Sequence, residues 1–308
     1  MNQCCRVRVA TVAPGVEPWR SETVLLFRSL AQLGGSLATS EKVCYFDRVV
    51  DTAIAAELLD IGVQIRLITP VDPRCAMGNN QVMLDNSDAY DWLVALDCDV
   101  VVASDFRHEL VGDAVAAAPV DDALAPMPEW EKLFSAFGVS MPAVRYRSRL
   151  QGTIMPPYFN AGVLLVPSTL VDPLRHAWEH WLVKLASAFE EGRVPGSLGD
   201  RGAFVDQLAF ALALADGGIP HRALPVAMNA PSHLRLHPLD DPSQVEPFLV
   251  HYHHRTDERG RLIWSGYQGI DRAIARVNAL STLQGTACAE TRLDTHPRVS
   301  SAVAWRGL

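Results

Sequence analysis

The sequence predicts an α/β fold built on a mostly parallel central sheet. Three observations support this class: apolar strands alternate with helices early in the chain, those strands are continuous hydrophobic runs, and the composition is that of a globular protein. The 308 residues are 49% hydrophobic and 20% charged, which excludes a largely disordered chain. Strands that alternate with helices pair in parallel, because each crossover helix returns the chain to the same edge of the sheet.

The first third of the chain contains the clearest alternation. Residues 7–12 are predicted as a buried strand that ends in the loop residues Ala13, Pro14 and Gly15. A helix follows and is stopped by Gly34. The predicted elements after the first strand are, in order, a helix at 21–33, a strand at 42–46, a helix at 52–61, a strand at 63–68, a short helix at 81–86 and a strand at 92–96.

The rest of the chain predicts longer helices around one further apolar strand. A helix is expected to begin at Asp172 as N-cap, with Pro173 at its first helical position, and to end near Glu191. The last ~25 residues show little pattern and are expected to form a loose tail. The other predicted elements are an amphipathic helix around Trp130, a strand at 160–166, a helix at 206–215, a strand at 248–252 and a helix at 270–280.

Charge and hydropathy exclude several classes of partner. The chain has 27 Lys and Arg against 35 Asp and Glu, a net charge of −8, which disfavours binding to nucleic acid. The longest apolar run, residues 208–215, is too short to span a bilayer. Six cysteines show no C-x-x-C spacing, so reduced thiols in a cytoplasmic protein are expected. Homo-oligomerisation stays open.

The most informative segment is the end of the fourth strand. Residues 92–96 are apolar and lead directly into Asp97, Cys98 and Asp99. In extended backbone the two carboxylates project to the same side, roughly 6–7 Å apart, and both reach one ion. Ligands of open α/β sheets bind at the carboxyl ends of strands, and hard oxygen ligands suit Mg²⁺ or Mn²⁺. The pair therefore predicts a divalent-metal site, with solvated strand-end aspartates as the alternative.

Two further segments place polar groups beside apolar elements. Asn160, Ala161 and Gly162 stand at the mouth of an apolar strand, where small residues leave room for a ligand to approach the backbone. A simple glycine kink is the alternative. Asp206 and Gln207 open an apolar helix, and taken alone they are typical of helix capping.

Two histidine patterns predict different things. His251 and His253 alternate at the end of an apolar strand, so we expect them on one side of it as a source of metal ligands. His176 and His180 match the H-x-x-E-H pattern of inverted zinc peptidases. The apolar stripe of that helix faces the other way, which places both histidines on the solvated side and disfavours a zinc site there.

In this order and at these spacings, the four segments resemble the GT-A glycosyltransferases, specifically the retaining family 8 group that includes glycogenin, bacterial lipopolysaccharide galactosyltransferases and galactinol synthases. The resemblance spans roughly residues 7–261, and its most specific parts are 96–99 and 158–163. It implies a GT-A fold, in which a Rossmann-like nucleotide-binding half with a mostly parallel central sheet is merged with an acceptor-binding half.

The resemblance also implies a domain division and a role for each candidate residue. One catalytic domain covers 1–265, with a nucleotide-sugar half at 1–104 and an acceptor half at 105–265, and a helix and tail follow at 266–308. The implied metal ligands are Asp97, Asp99 and His251. The implied donor-binding residues are Thr11, Val12, Ala13, Asp97, Cys98, Asp99, Asn160, Ala161 and Gly162, and the implied catalytic residues are Asp206, Gln207 and Asn160. The expected cofactor is Mn²⁺ or Mg²⁺, and an imidazole ligand favours Mn²⁺.

The late motif departs from the family pattern. It continues from His253 into His254 and Arg255, where the family runs toward Gly and Lys-Pro-Trp, so the charge of a diphosphate is expected to fall on the metal or on Arg255, Arg259 or Arg261. The resemblance implies transfer of a sugar from a nucleotide-diphosphate donor, first of all a UDP-sugar, with retention. The acceptor is a saccharide, lipid, protein or small molecule.

Two alternative functions remain at this stage. A sugar nucleotidyltransferase also combines an α/β nucleotide fold with metal-bound aspartates, but residues 11–15 lack the glycine-rich basic loop of that family. A catalytically silent nucleotide-sugar-binding protein is the second alternative. The intact acidic pair and the late histidine favour the transferase over both.

Overall fold

Within residues 5–72, 79–200, 202–233 and 245–282, which the computed structural model describes, the chain forms three sheets flanked by α-helices. The strands are β1 (Val7–Ala13), β2 (Glu41–Phe46), β3 (Val63–Leu67), β4 (Trp92–Leu96), β5 (Val100–Val102), β6 (Val115–Pro119), β7 (Tyr146–Arg147), β8 (Ile154–Met155), β9 (Phe159–Pro167), β10 (His221–Ala223), β11 (Ala230–Pro231) and β12 (Leu249–His251). The α-helices are α1 (Trp19–Leu33), α2 (Thr52–Asp60), α3 (Met127–Ala136), α4 (Ser168–Glu190), α5 (Val205–Asp216) and α6 (Gln268–Thr282).

The largest sheet has the strand order β10-β6-β9-β4-β1-β2-β3. Strands β1 to β4 pair in parallel, as do β6 and β10, whereas β9 lies antiparallel between β4 and β6. The predicted α/β class with a mostly parallel sheet is therefore confirmed. The carboxyl ends of β1, β4, β6 and β10 share one edge of the sheet, and the start of β9 lies at that same edge.

Helices cover both faces of this sheet, which explains why its strands are continuously apolar. On one face α1 and α2 pack through residues such as Phe27 and Leu58. On the other face α3, α4 and α5 pack through Trp130, Trp178 and Phe210. Burying apolar surface on both sides holds the strand ends in fixed positions relative to one another.

A second sheet brings distant parts of the chain together. Its order is β11-β12-β5, and α6 packs against it through Ile274, which contacts a cluster that includes Val101 and Val250. Strand β5 begins immediately after Asp99, and β12 ends at His251. The antiparallel pairing of β5 with β12 therefore places His251 opposite Val100, next to the strand-end acidic pair.

Several predicted boundaries were wrong. Helix α4 begins at Ser168, directly after the extended Pro167, so Asp172 is not its N-cap and Pro173 lies inside it. The helix tolerates this because Pro173 is exposed near the N-terminal end and removes a single backbone hydrogen bond. The short helix expected at 81–86 is a 3₁₀ helix at Asn80–Met83. The predicted tail lies largely in 283–308, outside the described residues.

Two expectations from composition concern the described residues directly. In that part of the chain no helix combines the length and the hydropathy that crossing a bilayer requires. Cys44 and Cys98 are buried free thiols, in agreement with the expectation of reduced cysteines. His176 and His180 are both exposed on α4, while Trp178 and Trp181 on its other face are buried, as predicted.

Candidate functional site

The strand-end acidic pair lies in a turn that connects the two sheets. The Asp97 amide donates a hydrogen bond to the Gly162 carbonyl at 2.9 Å, and the Val100 amide donates to the Asp97 carbonyl at 3.1 Å. The expectation of extended backbone through Asp97 and Asp99 was therefore wrong, because the chain turns here to enter β5. The Tyr252 amide donates to the Asp99 carbonyl at 3.0 Å, which ties this turn to the end of β12.

The late histidine contacts this pair directly. The Nε2 atom of His251 lies 3.1 Å from Oδ1 of Asp99, and both residues are buried. The rings of His251 and His253 stack with centroids 3.8 Å apart and an interplanar angle of 10°. The prediction that these two histidines lie on one side is thus confirmed, although the strand itself ends at His251.

An asparagine that the sequence patterns missed orients this histidine. Because the Oδ1 atom of Asn229 only accepts hydrogen bonds, Nδ1 of His251 donates to it, at 3.1 Å. The Asn229 amide group in turn donates to Oδ1 of Asn160 at 3.1 Å, and the Gly162 amide donates to that same oxygen at 2.9 Å. With Nδ1 occupied, Nε2 of His251 is the nitrogen directed at the acidic pair.

Gly162 is the point on which these side chains converge. A Cβ atom built there would lie 2.7 Å from Oδ2 of Asp97, 2.7 Å from Cε1 of His251 and 2.8 Å from Oδ1 of Asn160. The register of β6 on β9 shifts between Ala117 and Ala118, which leaves residues 161–163 without a register partner on β6. Only glycine fits this position, because any side chain would displace all three groups.

The two carboxylates and His251 shift one another's pKa values. Burial, with the negative charge of Asp99 beside it, raises the pKa of Asp97 to about 6. Burial alone would lower the pKa of His251, but the charge and hydrogen bond of Asp99 outweigh it and raise that pKa to about 9. The same contact holds the pKa of Asp99 below its ordinary value against the opposing effect of burial. In the metal-free protein, protonated His251 therefore supplies the positive charge that the carboxylates attract.

Asp206 and Gln207 lie in the first turn of α5, as expected. Asp206 is buried, and burial together with the charge of Asp97 raises its pKa to about 7. The indole of Trp178 donates to the Asp206 carbonyl at 2.8 Å and so ties the start of α5 to α4. Gln207 is half-buried. The structure thus places Asp206 within electrostatic reach of Asp97, on the same side of the sheet edge.

The expected nucleotide-contacting residues end β1, the strand beside β4. Thr11 and Ala13 are buried and Val12 is half-buried. The hydroxyl of Thr11 has no hydrogen-bond partner among the described residues. Cys98 is turned away from this edge: its thiol donates to Oε2 of Glu22 on α1 at 4.0 Å, so its side chain faces the helix.

A buried glutamate forms a further contact that the sequence patterns missed. Glu22 accepts a hydrogen bond of 2.8 Å from Nδ1 of His254, which raises the pKa of that imidazole. The Nε2 atom of His254 lies 3.8 Å from Oδ2 of Asp99. His254 therefore links α1 to the acidic pair, and its backbone is left-handed, with φ 59°.

The three arginines expected to serve a diphosphate are placed differently. Arg255 donates a hydrogen bond to the Ser232 carbonyl at 3.0 Å. Burial, the charge of His251 and, to a smaller extent, the charge of Arg255 lower the pKa of His233 to about 4. Arg261 pairs with Asp257, and Arg259 is exposed. Arg255 is thus the arginine of this set that lies beside the histidine cluster.

The residues at this edge fit a divalent ion. Donor atoms of Asp99, His251 and His253 lie within 4.8 Å of one another. Asp97 lies outside that group, but its Oδ2 and Cε1 of His251 both approach the same point above Gly162. Carboxylate oxygens with one imidazole suit Mn²⁺ better than Mg²⁺. Asp99 and His251 are therefore placed to share one ion, and Asp97 borders the same space above Gly162.

A mostly parallel sheet that carries an acidic pair at the end of a central strand, faced by a late histidine, is typical of the GT-A glycosyltransferases. The profile of the Rhodobacterales glycosyltransferase domain matches residues 19–218. The chain therefore belongs to that family and is a glycosyltransferase. No curated protein matches the chain.

Solved structures of similar fold come from glycosyltransferases. The galactosyltransferase LgtC in complex with donor and acceptor sugar analogues is 16% identical, with 90% of this chain and 95% of that chain covered and a TM-score of 0.53. An active-site glutamine-to-glutamate mutant of LgtC is 15% identical, with the same coverage and a TM-score of 0.55. Apo WbbM, a bifunctional enzyme, is 14% identical with a TM-score of 0.51, and the match covers 92% of this chain and 52% of WbbM. These likenesses confirm the GT-A, family 8-like fold.

Proposed function

We propose that this glycosyltransferase moves a sugar from a nucleotide-diphosphate donor, first of all a UDP-sugar, to a saccharide, lipid, protein or small-molecule acceptor, with retention at the anomeric carbon. The proposal includes a divalent ion, Mn²⁺ before Mg²⁺. The observation that carries it is the convergence of Asp97, His251 and Asn160 on Gly162, at the edge of the sheet where ligands of α/β folds bind.

Asp97, Asp99 and His251 would hold the ion, and Asn229 would keep His251 in the required tautomer by accepting its Nδ1 hydrogen. When bound, the ion would act as a Lewis acid on the donor diphosphate, which becomes more negative as the glycosidic bond breaks. The chain's own contribution is orientation. The carboxylates and the imidazole are held by backbone hydrogen bonds from two sheets, which fixes their geometry before substrate arrives.

Asn160, Asp206 and Gln207 are the proposed contacts for the donor sugar and the reacting carbon. Asp206 is buried beside Asp97, and its negative form would stabilise the positive charge that develops on the sugar ring. The solved LgtC mutant indicates that an active-site glutamine occurs in a fold of this type, which supports Gln207. The proposed nucleotide contacts are Thr11, Val12, Ala13 and the backbone of Cys98, and the proposed sugar contacts include Ala161 and Gly162.

The division of the chain also remains part of the proposal. Residues 1–104 supply the acidic pair and the strand-end contacts for the nucleotide, whereas 105–265 supply Asn160, Asp206 and His251. The central sheet takes strands from both segments. The proposed donor site therefore lies where the two segments meet, and the helix at 268–282 packs outside it on the second sheet.

The test is release of the nucleoside diphosphate from a panel of nucleotide sugars, with Mn²⁺ and after its removal by EDTA. We expect Mn²⁺-dependent turnover that Asp99→Asn lowers by about 100-fold or more, because a lost ligand weakens the ion and misplaces the diphosphate. Asp113→Asn, which removes an exposed carboxylate elsewhere, is the matched control. Pyrophosphate exchange in place of turnover would indicate a nucleotidyltransferase, and binding without turnover a silent protein.

A further inference from the structure

A second cluster of metal-ligand types lies beside the proposed donor site. One donor atom each from Asp121, His233 and His253 lies within 4.8 Å of the others. Asp121 follows β6, and the two histidines follow β11 and β12. None of the three belongs to the set Asp97, Asp99 and His251, so the cluster calls for a separate explanation.

The strand pairing explains why the two histidines meet. Strands β11 and β12 are parallel, with Pro231 in register with His251. His233 and His253 each lie two residues beyond the end of these paired strands. Their ring centroids are 3.9 Å apart, and the ring planes are inclined at 58°.

Ring orientation separates this cluster from the first one. An imidazole nitrogen presents its lone pair in the ring plane, so a bound ion lies near that plane, about 2.1 Å from the nitrogen. The stacked rings of His251 and His253 have nearly parallel planes, and an ion shared between them would lie far out of both. The rings of His233 and His253 are inclined at 58° and offer donor atoms within 4.8 Å of each other, so an ion near the line where their planes meet would lie in the plane of both.

Two local features indicate that the cluster is held for a ligand. The Nδ1 atom of His233 is buried and has no hydrogen-bond partner within the described residues, an arrangement that costs free energy unless something binds there. His253 has a left-handed backbone, with φ 47°, a conformation that is strained for a residue with a Cβ atom. The amide of Arg255 donates to the Tyr252 carbonyl and keeps this turn closed.

We propose that Asp121, His233 and His253 form a second divalent-metal site, distinct from the one at Asp97, Asp99 and His251. Two imidazoles and one carboxylate with open coordination positions are a ligand set for Zn²⁺ or a similar first-row transition ion, and not for Mg²⁺. A cation here adds positive charge next to the donor site of a chain with net charge −8.

The test is the number of Zn²⁺ ions bound by the metal-free, full-length protein in equilibrium dialysis. His176 and His180 are exposed one helical turn apart on α4, and the parent protein carries His176→Ala and His180→Ala so that adventitious zinc on this surface pair does not enter the count. We expect His233→Ala to bind one ion fewer than this parent, because loss of a ligand weakens the site by on the order of 100-fold. An unchanged count in His233→Ala would overturn the proposal.

Two further variants keep the result independent of the proposed function. Asp97→Asn weakens the first site alone and leaves the ligands of the second site unchanged. An ion that is lost in His233→Ala and retained in Asp97→Asn therefore belongs to the second site, whether or not the first site binds zinc. Asp121→Asn preserves size and serves if His233→Ala does not fold, as judged by its metal-free melting temperature. With Co²⁺ as probe, the parent should show visible absorption from imidazole ligands that falls in both His233→Ala and Asp121→Asn. Identical spectra in parent and variants would contradict the assignment.

Discussion

At the scale of single residues, the site depends on Gly162, which has no side chain. Gly162 leaves the space into which the carboxylate of Asp97, the imidazole of His251 and the amide of Asn160 all approach within 2.8 Å of one point. The sequence predicts that Asn160, Ala161 and Gly162 form a place where a ligand approaches the backbone. In the structure Gly162 makes room for the side chains of Asp97, His251 and Asn160, and no local sequence pattern indicates this role.

Gly162→Ala tests this arrangement. The added methyl group must push Asp97 and His251 apart, and a displacement of about 1 Å in a reacting centre costs on the order of 100-fold in rate. We expect Mn²⁺-dependent donor turnover to fall by that order and the affinity for Mn²⁺ to fall with it. Gly202→Ala, whose methyl group would meet only ordinary contacts with Phe189, is the control. Normal turnover in Gly162→Ala would contradict the proposed geometry.

The buried carboxyl of Asp206 makes stability depend on pH. Its pKa rises from 3.8 to about 7 in the folded protein, so the folded state holds a proton that the unfolded state releases above pH 4. The contribution of this group to stability therefore falls as the pH rises from about 4 to 7. Asp206→Asn lacks this loss, and we expect it to gain up to about 4 kcal/mol in free energy of unfolding relative to wild type between pH 4 and pH 8. Chemical denaturation at both pH values measures the difference; an equal effect at both would contradict the raised pKa.

At the scale of secondary-structure elements, most strands and helices were predictable because their hydrophobic patterns are local. The strands at 7–12, 42–46 and 92–96 match the observed β1, β2 and β4 within one residue. The turn at Asp97 and Asp99 was not predictable, since it is imposed by pairing of β5 with β12, about 150 residues further on. Local hydrophobic patterns predict strand β4 itself, whereas the point at which the chain turns after β4 depends on the pairing of β5 with β12, which is distant in the sequence.

The start of α4 shows the same limit and yields a prediction. Asp172 and Pro173 form a strong local helix-start signal, yet the helix already begins at Ser168. Pro173 therefore lacks the amide hydrogen that would bond to the Thr169 carbonyl. We expect Pro173→Ala to raise the free energy of unfolding by about 2 kcal/mol, because it restores a backbone hydrogen bond and relieves a steric clash. The greater flexibility of the unfolded chain without the proline offsets part of this gain. Thermal and denaturant unfolding check this; a loss of stability would indicate that the helix starts at the proline after all.

At the scale of the whole molecule, the fold assembles the site from segments that are far apart in the chain. The acidic pair and the late histidine were predicted, since both stand at the ends of apolar strands. Asn229, Glu22 and His233 were not, because Asn229 and His233 flank β11 without a motif of their own and Glu22 lies within α1, where no pattern marks it. Their roles arise from contacts between the two sheets and α1, so they are visible only once the chain is folded.

The acidic character of the molecule fits an enzyme that binds its anionic donor through cations. The net charge is −8, and the carboxylates of Asp97 and Asp99 would repel a diphosphate unless a positive charge lay between them. In the metal-free protein that charge is the proton on His251, whose pKa is about 9. The central claim is that a divalent ion takes its place when the donor binds.

Anomalous X-ray diffraction from crystals grown with Mn²⁺ and UDP tests this claim most directly. We expect a manganese peak between Asp97, Asp99 and Nε2 of His251, each at roughly 2.0–2.4 Å, with the diphosphate of UDP completing the coordination. The same peak should be missing in Asp99→Asn. UDP bound at the ends of β1 and β4 with no manganese beside those three residues would show that Asp97, Asp99 and His251 do not hold a divalent ion for the donor.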